Sequence, residues 1–314
     1  MTNIKNRFKE NQNLGTILAL IILICFVSLL NPAFLQVSNL LNLMRQLIIN
    51  GFVALGMTFV ILTGGIDLSV GSTLALSSAI FAWLMQSGIS TIFAIIVAIL
   101  LGILLGLING LLITKGKLAP FIVTLATMTI FRGLTLVLMD GRPIAGQRDD
   151  FAFQFLGKGQ IFGIPFQVIL FIIVYLILWM LLNKTSYGRK IFAVGGNEKA
   201  SFISGINIAK SKTFVYIISA LMAVLSGLVL TSRLNSAQPT AGSAYEMDAI
   251  AAVVLGGTSM TGGSGSLTGT LIGILILGVL NNGLNLLGVS SFYQQIVKGI
   301  VILIAVLIDR KRNK

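Results

Sequence analysis

Residues 91–113 read TIFAIIVAILLGILLGLINGLLI, twenty-three positions without one charged side chain. Crossing about 30 Å of hydrocarbon takes roughly 20 predominantly apolar residues in a helix rising 1.5 Å per residue. The run is therefore expected to span a membrane. Runs of similar character recur outward in both directions, and hydropathy with turn signals places ten spans near residues 14–30, 47–63, 68–86, 91–113, 120–139, 163–183, 213–231, 247–261, 266–284 and 294–308. The composition agrees. With 56% apolar and 10% charged residues and a mean hydropathy of +0.98, the chain lacks the charge that a water-facing surface requires. The expectation is an all-α, polytopic transmembrane helical bundle, one domain over residues 1–314.

Lys5, Arg7 and Lys9 ahead of the first run resemble a secretory signal, but the run ends at Asn31-Pro32 without a small-x-small cleavage site. An uncleaved first span is expected. Cys25 is the single cysteine and there is no histidine, which removes an intramolecular disulfide and the usual metal and general-base chemistry.

The net charge of +13 would suggest nucleic acid in a soluble protein; here its distribution matters more. Placing the N-terminus in the cytoplasm puts fifteen of the 22 Lys and Arg residues inside, among them Lys115, Lys117, Lys199, Lys210 and Arg310. Only Arg45, Arg142, Arg148, Lys158 and Arg233 fall outside, while Arg132 and Lys298 lie within spans. The positive-inside rule favours that orientation, with both termini cytoplasmic. An odd number of spans would export the Arg310-Lys311-Arg312 cluster, so the weak eighth segment is expected to cross.

Two stretches share the pattern Gly-Gly-x3-Ser/Thr-x-Gly-Ser: Gly64-Gly65-Ile66-Asp67-Leu68-Ser69-Val70-Gly71-Ser72, and the run from Gly256-Gly257 to Gly263-Ser264. Each follows a span heading inward, which suggests two related halves and paired broken segments near a transport pathway. Close helix packing through small residues explains the same glycines. Pathway or gate candidates are Gly64, Gly65, Asp67, Arg132, Gly256, Gly257 and Asn282.

Asp67 is read as an N-cap for the third span in preference to an ion-coupling carboxylate. Arg132, inside the fifth span, needs water, a partner or the interface; Asp67 and Asp140 are the nearest acids in sequence. Lys298 is read as a snorkelling side chain. Asn109, Asn281, Asn282 and Asn285 could bond sugar hydroxyls, although hydrogen bonds between helices are the commoner use. Outside, Arg142, Arg148, Arg233 and Glu246 form a candidate landing surface for a partner of complementary charge.

Residues 184–212 are the one long polar stretch, and six of these residues are Lys or Arg. Within it, Gly195-Gly196-Asn197-Glu198-Lys199-Ala200 through Ser204-Gly205-Ile206 reads as an Asn N-cap, about two helical turns and a Gly at C′, a docking helix. Both Gly-Lys pairs, Gly116-Lys117 and Gly157-Lys158, lack the following Ser or Thr of a phosphate-binding loop. ATP hydrolysis is not expected in this chain.

The stretch 64–72, Ala119-Pro120-Phe121-Ile122-Val123-Thr124-Leu125, Ala193-Val194-Gly195-Gly196-Asn197-Glu198 through Ser204-Gly205-Ile206, and Val254-Leu255-Gly256-Gly257-Thr258 together resemble the ribose-type permeases of bacterial ATP-binding-cassette importers. That group lies within the sugar and branched-chain amino-acid permease superfamily. The resemblance implies a multi-pass subunit of the bacterial cytoplasmic membrane, a second permease copy, a separate ATPase below and an extracytoplasmic sugar-binding protein above, with no cofactor and no nucleic acid. It places the ATPase-coupling loop at Gly195, Gly196, Asn197, Glu198, Lys199, Ala200, Ser204 and Gly205. Lys199-Ala200-Ser201-x3-Gly205 keeps the spacing of the Glu-Ala-Ala-x3-Gly loop of such importers, with Lys199 for Glu and Ser201 for Ala. Transport of branched-chain amino acids or nucleosides, or ion-coupled carriage, are the alternative functions.

Overall fold

Long apolar runs without interior proline fold here as helices, and glycine turns set their ends. The computed structural model describes residues 14–147 and 149–312. Lys5, Arg7, Lys9, Arg148 and Lys314 lie outside the described residues. Thirteen α-helices are described: α1 Leu14–Leu30, α2 Val37–Leu62, α3 Val70–Gln86, α4 Thr91–Thr114, α5 Pro120–Met139, α6 Phe151–Lys158, α7 Phe166–Lys184, α8 Ser186–Gly196, α9 Glu198–Ile203, α10 Ile208–Leu234, α11 Tyr245–Leu255, α12 Leu267–Leu286 and α13 Ser291–Arg312. Two-residue strands β1 (Ile144–Ala145) and β4 (Ser236–Ala237) pair antiparallel, as do β2 (Gln160–Ile161) and β3 (Ile164–Pro165).

Six helices, α2, α4, α5, α7, α10 and α12, are long and apolar enough to cross a membrane by length and composition. The shorter apolar helices are α1, α3 and the Ser291–Ile304 part of α13. Expected boundaries for the second and seventh spans were too tight: α2 starts at Val37 and α10 runs from Ile208 to Leu234. The eighth segment is broken where its glycines led one to expect it. Its helix, α11, has 11 residues, about 17 Å at 1.5 Å per residue and so roughly half the hydrocarbon thickness. Beyond Leu255 the chain continues as the glycine-rich turn 256–266, so no unbroken helix crosses there.

The bundle is built around α2 and α10, whose apolar windows are 78% and 72% buried, whereas α4, α5 and α7 turn most of their apolar surface outward. A helix apolar on its outer face suits lipid. On α4, Gly102, Gly106 and Gly110 recur every four residues and lie against α10; a β-carbon on Gly106 would stand 2.6 Å from the Ile217 Cα. Such small-residue stripes let backbones approach where lipid offers no hydrophobic drive for association. Polar pairs add direction to the packing. Asn282 of α12 and Asn39 of α2 exchange amide hydrogen bonds of 2.9 Å, and Thr58 and Thr270 lie 2.8 Å apart.

Candidate functional site

The polar segment begins with α8, capped by the Thr185 hydroxyl accepting from the Gly188 amide at 3.3 Å. Asn197 then ends α8 and starts α9, its side chain accepting from the Ala200 amide at 2.9 Å. At the far end Gly205, with φ +79°, lets the Ile206 amide reach the Ser201 carbonyl at 3.0 Å. That is the expected cap, short helix and glycine stop. Lys212 of α10 forms an ion pair of 2.7 Å with Glu198, tying α9 to the helix that follows. Phe202 and Ile203 of α9 are 71% and 84% exposed, beside a groove of about 920 Å³ whose walls include Lys117, Pro120 and Asn207.

Behind α9, three pieces of main chain converge. The Gly263 amide donates to the Leu62 carbonyl at 3.0 Å, joining the 262–263 turn to the end of α2. Gly195, in the last turn of α8, sits on the same carbonyl: a β-carbon there would collide with the Leu62 oxygen and stand 2.6 Å from the Gly263 nitrogen. Gly262, at φ +88°, leaves only 2.8 Å between its own hypothetical β-carbon and the Gly64 nitrogen. A β-carbon on Gly196 would point into open space, although its main chain lies close to Gly263. The candidates Gly64 and Gly195 thus meet through Gly262 and Gly263, glycines of the second repeated stretch that were not singled out as candidates; the Gly-Gly pair itself was the available signal. Gly256 and Gly257 stand apart, with Gly256 pressed against the Gly269 carbonyl of α12.

From this junction the chain 63–69 runs through protein to the start of α3. Asp67 is 1% exposed and accepts from the Ser69 amide at 3.0 Å, the Ser69 hydroxyl at 2.6 Å and the Ser219 hydroxyl of α10 at 2.8 Å. Asn109 of α4 donates to the Ser69 oxygen at 2.8 Å. The N-cap reading of Asp67 is corrected: Ser69 occupies that position without a side-chain cap bond, and Asp67 ties the loop to α10 instead. A buried carboxylate with donors on both oxygens is a rigid tether, because removing one partner leaves the charge unsolvated.

Gly71, in the first turn of α3, abuts Gly242 of the loop before α11; a β-carbon on Gly71 would collide with the Gly242 carbonyl. Arg132 of α5 holds that loop. Its Nη1 donates to the carbonyls of Pro239 and Ala241 at 2.7 and 2.8 Å, and Glu246 supplies the opposing charge. The nearest acids in sequence, Asp67 and Asp140, are not its partners.

Between α2, α10, α11, α12 and α13 opens a cleft of about 310 Å³, lined among others by Asn50, Arg233, Tyr245, Asp248, Asn281 and Lys298. Lys298 does not snorkel. It pairs with Asp248 at 2.9 Å, and Asn50 donates to the same carboxylate oxygen at 3.3 Å. Of the expected landing residues, Arg142 is exposed, Arg233 and Glu246 are half-buried, and Arg148 lies outside the described residues. The amides of Asn109 and Asn282 serve contacts between helices.

A family profile described as "Branched-chain amino acid transport system / permease component" matches residues 39–306. A ribose import permease protein of Bacillus subtilis (strain 168) is 63% identical over 302 residues, covering 96% of this chain and 94% of that protein. The ribose import permease protein of Escherichia coli (strain K12) is 50% identical over 300 residues, 95% of this chain and 94% of that one. A D-allose transport system permease protein of the same strain is 42% identical over 302 residues, 96% of this chain and 92% of its own length. No solved structure matches.

Proposed function

The chain belongs to the permease-component family of the branched-chain amino acid transport system, and from that premise we propose that it is the membrane subunit of an ATP-driven importer for ribose or a related monosaccharide. The observation that carries the substrate is the 63% identity to a ribose import permease over 96% of the chain. A hexose is the second reading, favoured by the 42% identity to a D-allose permease.

In this reading the subunit lies in the bacterial cytoplasmic membrane as one domain of two related halves. Ten crossings, the eighth broken at Gly256-Gly257, leave both termini inside. Two copies form the translocating unit. A separate ATPase grips α9 from the cytoplasm through exposed Phe202 and Ile203, and an extracytoplasmic binding protein delivers sugar to the opposite face, where Arg142 is exposed.

The glycine junction of three main-chain pieces supports the mechanism. Movement of α9 passes through Asn197 into the end of α8, and Gly195 bears on both the 62–65 and the 262–263 turns without any compliant side chain between them. Each turn leads into a segment that is not continuous helix: 63–69, anchored at Asp67, and 256–266. ATP binding would therefore favour one access state through main-chain contact with both halves, and its effect is limited to the free-energy difference it makes between the two states. A pathway poor in charge suits an uncharged sugar.

Reconstitution tests the proposal. Proteoliposomes holding the permease, its ATPase and the binding protein should accumulate labelled ribose on ATP and continue in the presence of a protonophore. Accumulation by the permease alone on a proton gradient would establish an ion-coupled carrier instead.

A further inference from the structure

We infer that the cleft between α2, α10, α11, α12 and α13 is a weak transit site for one monosaccharide, a step that rests on the import reading above and adds a location within the single subunit. Its volume, about 310 Å³, lies at the small end of known ligand pockets, room enough for a pentose or hexose of about ten to twelve heavy atoms.

The lining has the chemistry of hydroxyl recognition. A sugar hydroxyl both donates and accepts, so it is best held where carboxylate or amide oxygens alternate with ammonium, guanidinium or amide N–H groups. Asp248 is the acceptor, and Lys298 and Asn50 already converge on its Oδ2 at 2.9 and 3.3 Å. Arg233 adds donors, and Tyr245 adds an amphipathic ring of the kind that packs on the C–H face of a sugar. Two acceptors are orphaned: the Oδ1 atoms of Asn50 and Asn281 are buried without a hydrogen-bond partner. Leaving a buried acceptor unmet costs free energy; both atoms are closed to solvent, so a hydroxyl in the cleft would reach them only once the amides turn toward it. The rest of the wall, including Ile49, Ala252 and Leu277, is apolar, which limits the number of polar contacts and keeps the site weak. Weakness is what a passage requires, since a tightly held sugar would not leave.

The ion pair links α11 to α13 across this cleft. α11 is also the half-length helix whose C-terminal end leads into the glycine turn that touches Gly195. Any motion of that turn is therefore carried directly to the wall that holds Asp248.

Cysteine protection tests the site without ATP. The full-length chain carrying Cys25→Ser and Asn281→Cys, in lipid nanodiscs, is treated with a small maleimide. Labelling should slow by the factor 1 + [L]/Kd, so D-ribose at about twice its millimolar Kd slows it about threefold. Leucine, an amino-acid zwitterion, should leave the rate unchanged. Gln46→Cys, on the same cleft, is the second reporter where Asn281→Cys fails to insert; Ser290→Cys, in the turn after α12, should be unprotected. Equal labelling with and without ribose at both reporters overturns the site. Protection by leucine but not ribose overturns its sugar chemistry. ATP-driven ribose uptake by the complete importer is measured alongside: uptake without protection overturns the cleft alone, and protection without uptake overturns the import reading alone.

Discussion

At the residue scale, adjacent glycines in the coupling segment carry opposite expectations. Gly195 has the Leu62 carbonyl where a β-carbon would go, whereas Gly196 faces open space. Overpacking against side chains costs about 1–3 kcal/mol, and backbone yields less readily. Gly195→Ala should therefore lower ATP-driven uptake at least about tenfold, equivalent to ~1.4 kcal/mol, while Gly196→Ala stays within about twofold. Vesicle uptake normalised to inserted protein checks the contrast, and equal effects would refute a rigid contact at Gly195. A second residue-scale expectation concerns the cleft. Lys298 and Asp248 are 27% and 13% exposed, so Lys298→Ala should cost about 1–2 kcal/mol, below the ~3–5 kcal/mol of a fully buried broken pair. The double variant with Asp248→Ala should recover part of that loss in a thermal melt of the detergent-solubilised protein.

At the scale of elements, α9 is only six residues long and its apolar side chains point away from the bundle, with Phe202 and Ile203 largely exposed. An apolar pair held out on a capped helix is suited to a partner's pocket, where a central aromatic carries about 2 kcal/mol or more. Phe202→Ala should weaken co-purification of the ATPase by roughly thirtyfold without changing the amount of permease in the membrane. What could be read from sequence divides along the same line. The Asn197 cap and the Gly205 stop were legible because each bond spans only a few residues. The Asp67 bond to Ser219 spans 152 positions, and the seat of Gly195 between residues 62 and 263 depends on how three distant turns meet. The shortness of α11 was half visible: Gly256-Gly257 marked the break, but the apolar run before it looked the same as the interior of a longer span. On α4, by contrast, the four-residue glycine period was in plain view and its purpose emerged only with α10 beside it.

For the whole molecule, the decisive property is which side of the membrane each end of the bundle faces. The described basic residues lie unevenly: Lys115 and Lys117 sit in the α4–α5 connection, with Arg189, Lys190, Lys199, Lys210 and Lys212 along α8 to α10, while Arg142 between α5 and α6, Lys158 at the end of α6 and Arg233 near the end of α10 are fewer. Basic loops are retained in the cytoplasm, and a motor subunit can reach α9 only if that end is inside. The broken segments then acquire a direction. With α9 on the cytoplasmic side, the 238–244 loop, held by Arg132, would meet the start of α3 from the outer end, and the glycine junction would close the inner one. In intact cells expressing the Cys25→Ser background, a membrane-impermeant maleimide should label Arg142→Cys readily and leave Asn197→Cys untouched until the membrane is permeabilised. Cys25 is exposed on α1, so its removal is needed for the introduced thiols to report alone. Labelling of Asn197→Cys from outside would invert the whole assembly, separating α9 from any cytoplasmic ATPase and depriving the glycine junction of a motor to transmit.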